Sequence, residues 1–182
     1  MLQLLHMMDK WTEFLEYGGQ IDVIYSDFQK AFDRVPHKRL LSKLHSYGFN
    51  QVIINWIWDF LSMRKFRVKV NLNYSTWDYV TSGIPQGSVL GPLLFLIFIN
   101  DLVDCCEDYS DIYIFADDAK FFKHILHASD SCLLQHAITE LQNWSEKWLL
   151  GLNIQKCRPK IVSFGRNVDN TYQYCIKIVI IS

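Results

Sequence analysis

The sequence predicts an α+β fold in which helices pack on one face of a mostly antiparallel sheet. Segments with apolar residues at helical spacing alternate along the chain with short apolar strands. One pair of these strands flanks Asp117-Asp118, as expected for an antiparallel hairpin. Half of the 182 residues are hydrophobic and 15% are aromatic, so the chain can form a core. Its length suits one domain or a large piece of one.

A helix and a buried strand are predicted at the start of the chain. The apolar residues of this helix recur at helical spacing: Leu4, Met8, Trp11 and Leu15. Gly18-Gly19 is expected to end it. Residues 21–27 are mainly apolar, which predicts a strand buried on both faces.

Two further helices are expected after the strand. Pro36 opens the first, which runs to Tyr47 and stops at Gly48. The second covers residues 52–61. The first helix is expected to have Leu40, Leu41 and Leu44 on its inner face. The second carries the apolar residues Ile53, Trp56, Ile57 and Phe60.

A hairpin and a stiff loop are predicted to precede a buried helix. Apolar and polar residues alternate over residues 66–72, which predicts a strand with one apolar face, paired with residues 77–81. Gly83-Ile84-Pro85-Gln86-Gly87 forms the loop, and the helix covers residues 89–102. Its apolar run contains Gly91-Pro92 and is too short to span a bilayer.

The last third of the chain is predicted to hold a hairpin, a helix and two short strands. Asp117 and Asp118 are expected together at the hairpin tip. The helix covers residues 133–148 and ends near Gly151. The strands cover residues 161–164 and 176–181.

Charge and cysteine content exclude several functional classes. The formal net charge of −1 gives no global basic field, so any nucleic-acid contact must be local. The five cysteines and six histidines show no paired ligand spacing, so a zinc site is not expected. The N-terminus lacks a secretory pattern and reduced thiols are expected, which predicts a protein inside the cell, in the nucleus, the cytoplasm or both.

Asp117 and Asp118 are candidates for metal binding because adjacent carboxylates disfavour each other's ionisation. A divalent cation such as Mg²⁺ relieves that repulsion. Asp27, at the end of a buried strand, would complete a cage of three carboxylates if it lay beside the hairpin. The alternatives are a solvated Asp-Asp turn and an Asp27 that caps the following segment.

Three ordered segments carry a family resemblance. They are Tyr25-Ser26-Asp27-Phe28-Gln29-Lys30-Ala31-Phe32-Asp33, then Ser82-Gly83-Ile84-Pro85-Gln86-Gly87-Ser88, then Phe115-Ala116-Asp117-Asp118. Together they resemble the reverse transcriptase of non-LTR retrotransposons of the jockey or CR1-like kind. Leu152-Asn153-x-x-Lys156-Cys157 fits the same pattern. The resemblance implies a polymerase palm and an RNA-directed DNA polymerase, a nucleotidyltransferase.

The resemblance also implies roles for individual residues. Asp27, Asp117 and Asp118 would bind two Mg²⁺ ions, or Mn²⁺ as an alternative, and Phe28 would lend its backbone carbonyl. Phe32 would exclude a 2′-hydroxyl, with core packing as the alternative. Gln86 and Gly87 would contact the incoming nucleotide and template. Lys156 would protonate or neutralise the leaving pyrophosphate, with a solvated surface charge as the alternative.

Other polar residues are given less direct roles. Asp33 is expected to cap or brace the following segment. Arg34, His37 and Lys38 are candidates for contact with a nucleic-acid backbone. Arg64, Lys65, Arg67 and Lys69, with Phe66 interleaved, form a basic cluster that is either a phosphate contact face or a solvated strand face.

The resemblance implies that an RNA template, a DNA primer and deoxynucleoside triphosphates (dNTPs) are the partners, with no membrane. Residues 1–165 are assigned to the palm region and residues 166–182 to a degenerate tail. We expect incomplete fingers, and no thumb or endonuclease part of the parent polyprotein, and therefore weak or no activity of this chain alone. The alternative is an inactive or repurposed remnant that acts as a non-catalytic interaction module.

Overall fold

The computed structural model describes residues 2–154, 161–169 and 171–176. The helices in this part of the chain are α1 (Leu2–Tyr17), α2 (Ala31–Arg34), α3 (His37–Ser46), α4 (Gln51–Leu61), α5 (Leu90–Ile99), α6 (Leu102–Cys106) and α7 (Ala128–Trp148). The strands are β1 (Gln20–Asp27), β2 (Lys65–Phe66), β3 (Lys69–Val70), β4 (Asn73–Tyr74), β5 (Asp78–Tyr79), β6 (Asp111–Phe115), β7 (Asp118–Ile125) and β8 (Ile161–Gly165).

The chain forms two compact units. The first draws its described residues from Met1–Gln29, Asp101–Lys147 and Gly151–Ser182, and the second consists of Lys30–Asn100 and Trp148–Leu150. The four-stranded sheet and α1 belong to the first unit. Helices α2 to α5 and the short strands β2 to β5 belong to the second.

The sheet of the first unit is antiparallel, with strand order β6-β7-β1-β8. The first strand of the chain is therefore interior, and its apolar residues are buried on both faces as predicted. On one face, Ile21, Val23 and Phe122 pack with Met7 of α1. On the other face, Ile24 and Phe121 are buried, and Phe28, which continues that face, lies 5.7 Å from the ring of Trp144 in α7.

The predicted α+β class is confirmed, with the difference that helices cover both faces of the sheet. The sequence predicted helices on one face only, whereas α1 covers the face formed by Ile21, Val23 and Phe122. Trp11 of α1 packs edge-on to Phe122 with ring centroids 5.6 Å apart, and Phe14 stacks on His124 at 4.7 Å. A sheet buried on both faces needs apolar cover on each of them, and this helix provides one of the two layers.

Most helices lie close to their predicted positions, but in α1 and α4 only some of the apolar residues named from the sequence are buried. In α1 the buried residue is Met7, whereas Met8 is 49% exposed. In α4 Ile57 is buried, as is Ile54, which was not named, whereas Ile53 and Trp56 are exposed. Both helices carry more apolar residues than one face can hold, so the partner element selects which of them are buried.

The predicted pairing of residue 66 with the segment at residues 77–81 is confirmed, but the predicted continuous strand over residues 66–72 is wrong. The structure contains two separate two-residue pairings, β2 with β5 and β3 with β4, and the strand residues of both are exposed. Alternation of apolar residues predicts a face that can be buried, but no element of the second unit is placed to cover it.

Three further outcomes concern the second half of the chain. The helix predicted over residues 89–102 is divided into α5 and α6, and β8 confirms the strand predicted at residues 161–164. The last predicted strand falls almost entirely outside the described residues, since only Ile176 of it is described. Among the helices that the structure describes, none has the length and apolar character needed to cross a membrane.

Candidate active site

The hairpin between β6 and β7 gives the two adjacent aspartates different positions from each other. Phe115 pairs with Asp118, so Ala116 and Asp117 form the two-residue turn, with Ala116 at φ 53°. A positive φ at the first turn position matches the twist of a two-residue hairpin. The prediction that both carboxylates lie at the tip is therefore corrected. Asp117 lies in the turn, and Asp118 is the first residue of β7.

Asp27 lies directly opposite Asp118. The two residues are Cα partners at the end of the β1–β7 ladder, and the Asp27 side chain is buried, at 8% exposure. The Asp27 carbonyl accepts a hydrogen bond from the Asn153 N–H at 2.7 Å, on the side away from β7. Asp27 and Asp118 are therefore a non-hydrogen-bonded pair, in which Cα atoms lie roughly 4.5 Å apart and side chains share a face. This pairing brings the first motif beside the last.

The backbone of Phe28 continues this geometry. Phe28 forms a bridge with Leu152, and the flanking bonds run from Gln29 N–H to the Gly151 carbonyl and from Asn153 N–H to the Asp27 carbonyl. In such a bridge the carbonyl of the central residue points away from its partner strand. The Phe28 carbonyl therefore faces the β7 side, on which the carboxylates lie.

Asn153 is a positioning residue whose role was not predicted from the sequence pattern. Its side-chain Nδ2 donates to Asp27 Oδ2 at 3.2 Å, and its backbone N–H bonds the Asp27 carbonyl. These two contacts fix the end of β1 and orient the carboxylate. The signal was present in the Leu152-Asn153 pair of the family pattern, but spacing alone does not show that this pair meets Asp27.

The structure does not gather the three aspartates into one cluster. Asp27 and Asp118 are in register, while Asp117 lies in the turn. Within residues 2–154, 161–169 and 171–176, no group of three His, Cys, Asp or Glu side chains is close enough to hold a metal ion. The assignment of all three aspartates as ligands therefore stays a prediction.

A cavity of about 270 Å³ opens beside Asp118. Its walls come from α1 and the β6–β7 hairpin, with the apolar side chains of Leu4, Met7 and Phe115 and the polar side chains of Tyr113 and Lys120. The Lys120 ammonium also lies 5.3 Å from the ring centroid of Tyr25. The positively charged Lys120 side chain therefore lies on the same sheet face as the two paired carboxylates.

The predicted nucleotide-contacting residues lie in the second unit. Phe32 is half-buried and stacks on Phe95 of α5, with ring centroids 4.5 Å apart. Gln86 is exposed, and its side chain donates from Nε2 to Asp33 Oδ1 at 3.0 Å. Gly87 has φ 79° and nothing within 4 Å of where a Cβ would lie. The loop thus presents an oriented amide beside an open glycine.

Asp33 braces this loop, whereas the sequence predicted that it would cap or brace the segment directly after it. Besides the Gln86 contact, its backbone carbonyl accepts from Ser82 Oγ at 3.0 Å. Gly83 approaches the same backbone so closely that a Cβ would lie 2.6 Å from the Asp33 carbonyl oxygen. Together with its φ of 86°, this contact excludes any side chain at position 83.

His37 and Arg64 hold the other side of the loop. His37 Nε2 and Arg64 Nη2 each lie 2.8 Å from the Gly83 carbonyl oxygen. His37 is buried, and loss of hydration lowers its pKa; the Gly83 carbonyl opposes this and the Arg64 charge adds to it. The prediction that His37 contacts a nucleic-acid backbone is corrected, because its ring is used inside the unit. Lys156 lies outside the described residues.

The sequence of this chain is similar to those of known reverse transcriptases. The sequence profile of the family described as reverse transcriptase (RNA-dependent DNA polymerase) matches residues 12–168. The probable RNA-directed DNA polymerase from transposon BS of Drosophila melanogaster is 35% identical to this chain, and the match covers 74% of this chain and 16% of that protein. The RNA-directed DNA polymerase from mobile element jockey of Drosophila funebris is 34% identical, and the match covers 87% of this chain and 19% of that protein.

Solved structures support the fold. Apo telomerase from Candida tropicalis superposes with a TM-score of 0.66 at 12% identity, over 91% of this chain and 32% of the telomerase chain. A second structure of it, truncated from the C-terminal domain, gives a TM-score of 0.64 at 15% identity, over 91% of this chain and 36% of that one. The chain spans less than a fifth of the length of the two transposon proteins.

Proposed function

Because the chain belongs to the reverse transcriptase (RNA-dependent DNA polymerase) family, as its resemblance to non-LTR retrotransposon enzymes predicted, we propose that it is the palm region of such a polymerase. It adds dNTPs to the 3′-hydroxyl of a DNA primer on an RNA template and releases pyrophosphate. The observation that carries this proposal is the pairing of Asp27 with Asp118 beside the inward-facing Phe28 carbonyl.

The donors at this end of the sheet fit a hard divalent cation. Two carboxylates and a backbone carbonyl supply oxygen ligands, which Mg²⁺ and Mn²⁺ prefer over sulfur or nitrogen sites. Asp27, Asp118 and the Phe28 carbonyl would hold such ions, which would supply activation of the attacking hydroxyl and charge stabilisation at the leaving oxygen. Asp117, one residue from Asp118, is the third proposed ligand.

The protein's own contribution is orientation. The β1–β7 ladder sets the separation of Asp27 and Asp118, and Asn153 holds the Asp27 carboxylate from the far side of β1. Such prior positioning lowers the reorganisation that a reaction needs. We assign Gln86 and Gly87 to contact with the incoming nucleotide and Phe32 to exclusion of a 2′-hydroxyl. Lys156 is assigned to the leaving pyrophosphate.

Metal binding to the full chain tests the site directly. Mn²⁺ titration followed by electron paramagnetic resonance compares the wild type with Asp118→Asn, Asp117→Asn and the exposed Asp108→Asn as a matched control. We expect affinity at least about tenfold weaker in the first two variants, equal to about 1.4 kcal/mol, and unchanged affinity in the control. Equal affinity in all four proteins would contradict the proposed ligands.

Activity is tested in parallel by Mg²⁺-dependent dNTP incorporation on an RNA template with a DNA primer. A polymerase palm predicts incorporation that Asp117→Asn and Asp118→Asn reduce by about a hundredfold or more. Incorporation that is absent from the wild type, or equal in wild type and variants, contradicts an independent polymerase.

A second candidate is a folded remnant that acts as a non-catalytic interaction module. The observation that favours it is the position of Asp117, which does not join Asp27 and Asp118 in a group of three ligands within the described part of the chain. It predicts no dNTP incorporation, with or without Mn²⁺ binding. Template-dependent incorporation that Asp118→Asn abolishes would exclude it.

A further inference from the structure

Residues 64–80, which contain β2 to β5, form an exposed structure that we call the cationic ribbon. It lies within the second unit, and its strand residues are all exposed. We propose that the cationic ribbon is a binding surface for single-stranded nucleic acid. The proposal concerns residues other than the carboxylates and does not require catalysis.

The charge of the ribbon differs from that of the whole chain. The chain has a formal net charge of −1, yet residues 64–80 contain four basic residues and a single acidic residue, Asp78. The Asp78 carboxylate accepts from the Tyr79 N–H at 2.8 Å and so is used locally. A polyanion is therefore attracted to this segment although the protein as a whole does not attract it.

Three of these cations remain available for an anion. Arg64 donates to the carbonyls of Leu61 and Gly83, so it holds the base of the ribbon. Lys65, Arg67 and Lys69 form no ion pair or side-chain hydrogen bond with any residue that the structure describes. Each of them contacts an aromatic ring instead.

The aromatic rings fix the cations in place. Lys65 lies 4.6 Å from the ring centroid of Tyr79. The Arg67 guanidinium lies 4.0 Å from that of Tyr74 and 4.6 Å from that of Trp77. Stacking uses the flat faces of the guanidinium and leaves the N–H donors at its edge for phosphate. Because the side chains are already ordered, binding costs less conformational entropy.

Single-stranded nucleic acid matches both features of the ribbon. Its phosphates suit the cations, and its unstacked bases suit the exposed rings of Tyr74, Trp77 and Tyr79, since stacking of a base on an aromatic side chain contributes about 1–3 kcal/mol. A duplex keeps its bases stacked and offers only the phosphates. An acidic peptide would likewise match only the positive charge of the ribbon and not its aromatic rings.

Fluorescence anisotropy of the full chain with a labelled, unstructured oligouridylate tests the proposal. The buffer contains EDTA, which removes divalent cations. The measurement therefore reports binding to the ribbon whether or not the proposed metal site and its catalysis exist. The variants are Lys65→Ala with Arg67→Ala and Lys69→Ala combined, and Trp77→Ala alone. Matched controls are Arg39→Ala with Arg166→Ala, at two exposed positions outside the ribbon, and Trp58→Ala, whose side chain is 41% exposed compared with 59% for Trp77. Circular dichroism establishes that each variant is folded.

We expect the combined cation variant to raise the Kd at least about tenfold. It should also reduce the salt dependence of binding, by about 0.7 in log–log slope for each phosphate that the variant no longer neutralises. Trp77→Ala should raise the Kd about fivefold or more with the slope unchanged. Control variants should bind like the wild type. The proposal is wrong if the ribbon variants match their controls, or if duplex RNA or polyglutamate binds the ribbon as tightly as the oligouridylate.

Discussion

Several polar side chains of this protein are used to hold loops in place. Asp33 shows this most clearly, because its carboxylate orients Gln86 while its backbone carbonyl accepts from Ser82. The two contacts can be separated by mutation, since a change of side chain leaves the Ser82 contact in place. Asp33 therefore controls the direction of one amide without being needed for the path of the loop.

We predict that Asp33→Ala releases the Gln86 side chain and that Asp33→Asn does not, because the asparagine oxygen can still accept the hydrogen bond. Loss of a hydrogen bond to a charged acceptor is worth about 1.5–3 kcal/mol at most. The Gln86 side-chain amide resonances in a ¹H–¹⁵N spectrum measure the release. In a polymerase assay the alanine variant should raise KM for dNTP more than it lowers kcat. Identical spectra for the two variants would contradict this role.

His37 should make the stability of the folded protein depend on pH. Its pKa is lowered in the folded protein by burial, so between that pKa and its ordinary value the unfolded chain binds more protons. The free energy of unfolding should therefore fall as the pH falls below about 6.5. Urea unfolding of the wild type and of His37→Gln, measured between pH 7 and pH 5, checks this. The glutamine amide can still donate to the Gly83 carbonyl, and a slope that this variant leaves unchanged would exclude His37 as the cause.

Among the elements, α1 shows how packing selects one of several possible inner faces. Its apolar residues allow a stripe through Met8 or a stripe through Met7, and the sheet face formed by Ile21, Val23 and Phe122 takes Met7. The choice depends on the angle at which the helix meets the strands, which helical spacing does not contain. The same reasoning applies to α4.

We predict that Met7→Ala lowers the free energy of unfolding by about 2–3 kcal/mol, because it leaves a cavity against the sheet. Met8→Ala, the adjacent control, should cost less than about 0.5 kcal/mol, because its side chain is largely in water. Denaturant unfolding of both variants measures the difference. Equal costs would place α1 in the other phase.

For the molecule as a whole, the two compact units differ in how their strands are supported. In the first unit β1 is paired on both sides, by β7 and β8. In the second unit, β2 to β5 form only two-residue pairings with exposed side chains. Isolated short ribbons are marginal in water, whereas a central strand opens only with its unit.

Hydrogen exchange followed by mass spectrometry should show this difference. We predict that peptides containing β1 and β7 exchange slowest and that residues 64–80 exchange fastest among the elements named above, by about two orders of magnitude or more, since each 1.4 kcal/mol of opening free energy is about tenfold in rate. Addition of oligouridylate should slow exchange in residues 64–80 if the ribbon binds it. Uniform exchange along the chain would show that the short pairings are as stable as the sheet.

The sequence by itself determined the family, the α+β class, the central strand ending at Asp27 and the order of the helices. These follow from local patterns: apolar period, glycine and proline positions, and three motifs with little freedom in composition. It also placed Gln86 and Gly87 in a loop before a helix, which the structure confirms.

Only the tertiary structure decided which residues meet. The register of β1 on β7 placed Asp27 opposite Asp118, the Phe28–Leu152 bridge brought Asn153 to Asp27, and close packing set Gly83 on Asp33. The tertiary structure also determines that Asp117 lies in the turn, that His37 is buried in the second unit and that the strand residues of the ribbon are exposed. Contacts between residues distant in sequence depend on strand register and on the shape of the packed core, and neither is encoded in the spacing of any one segment.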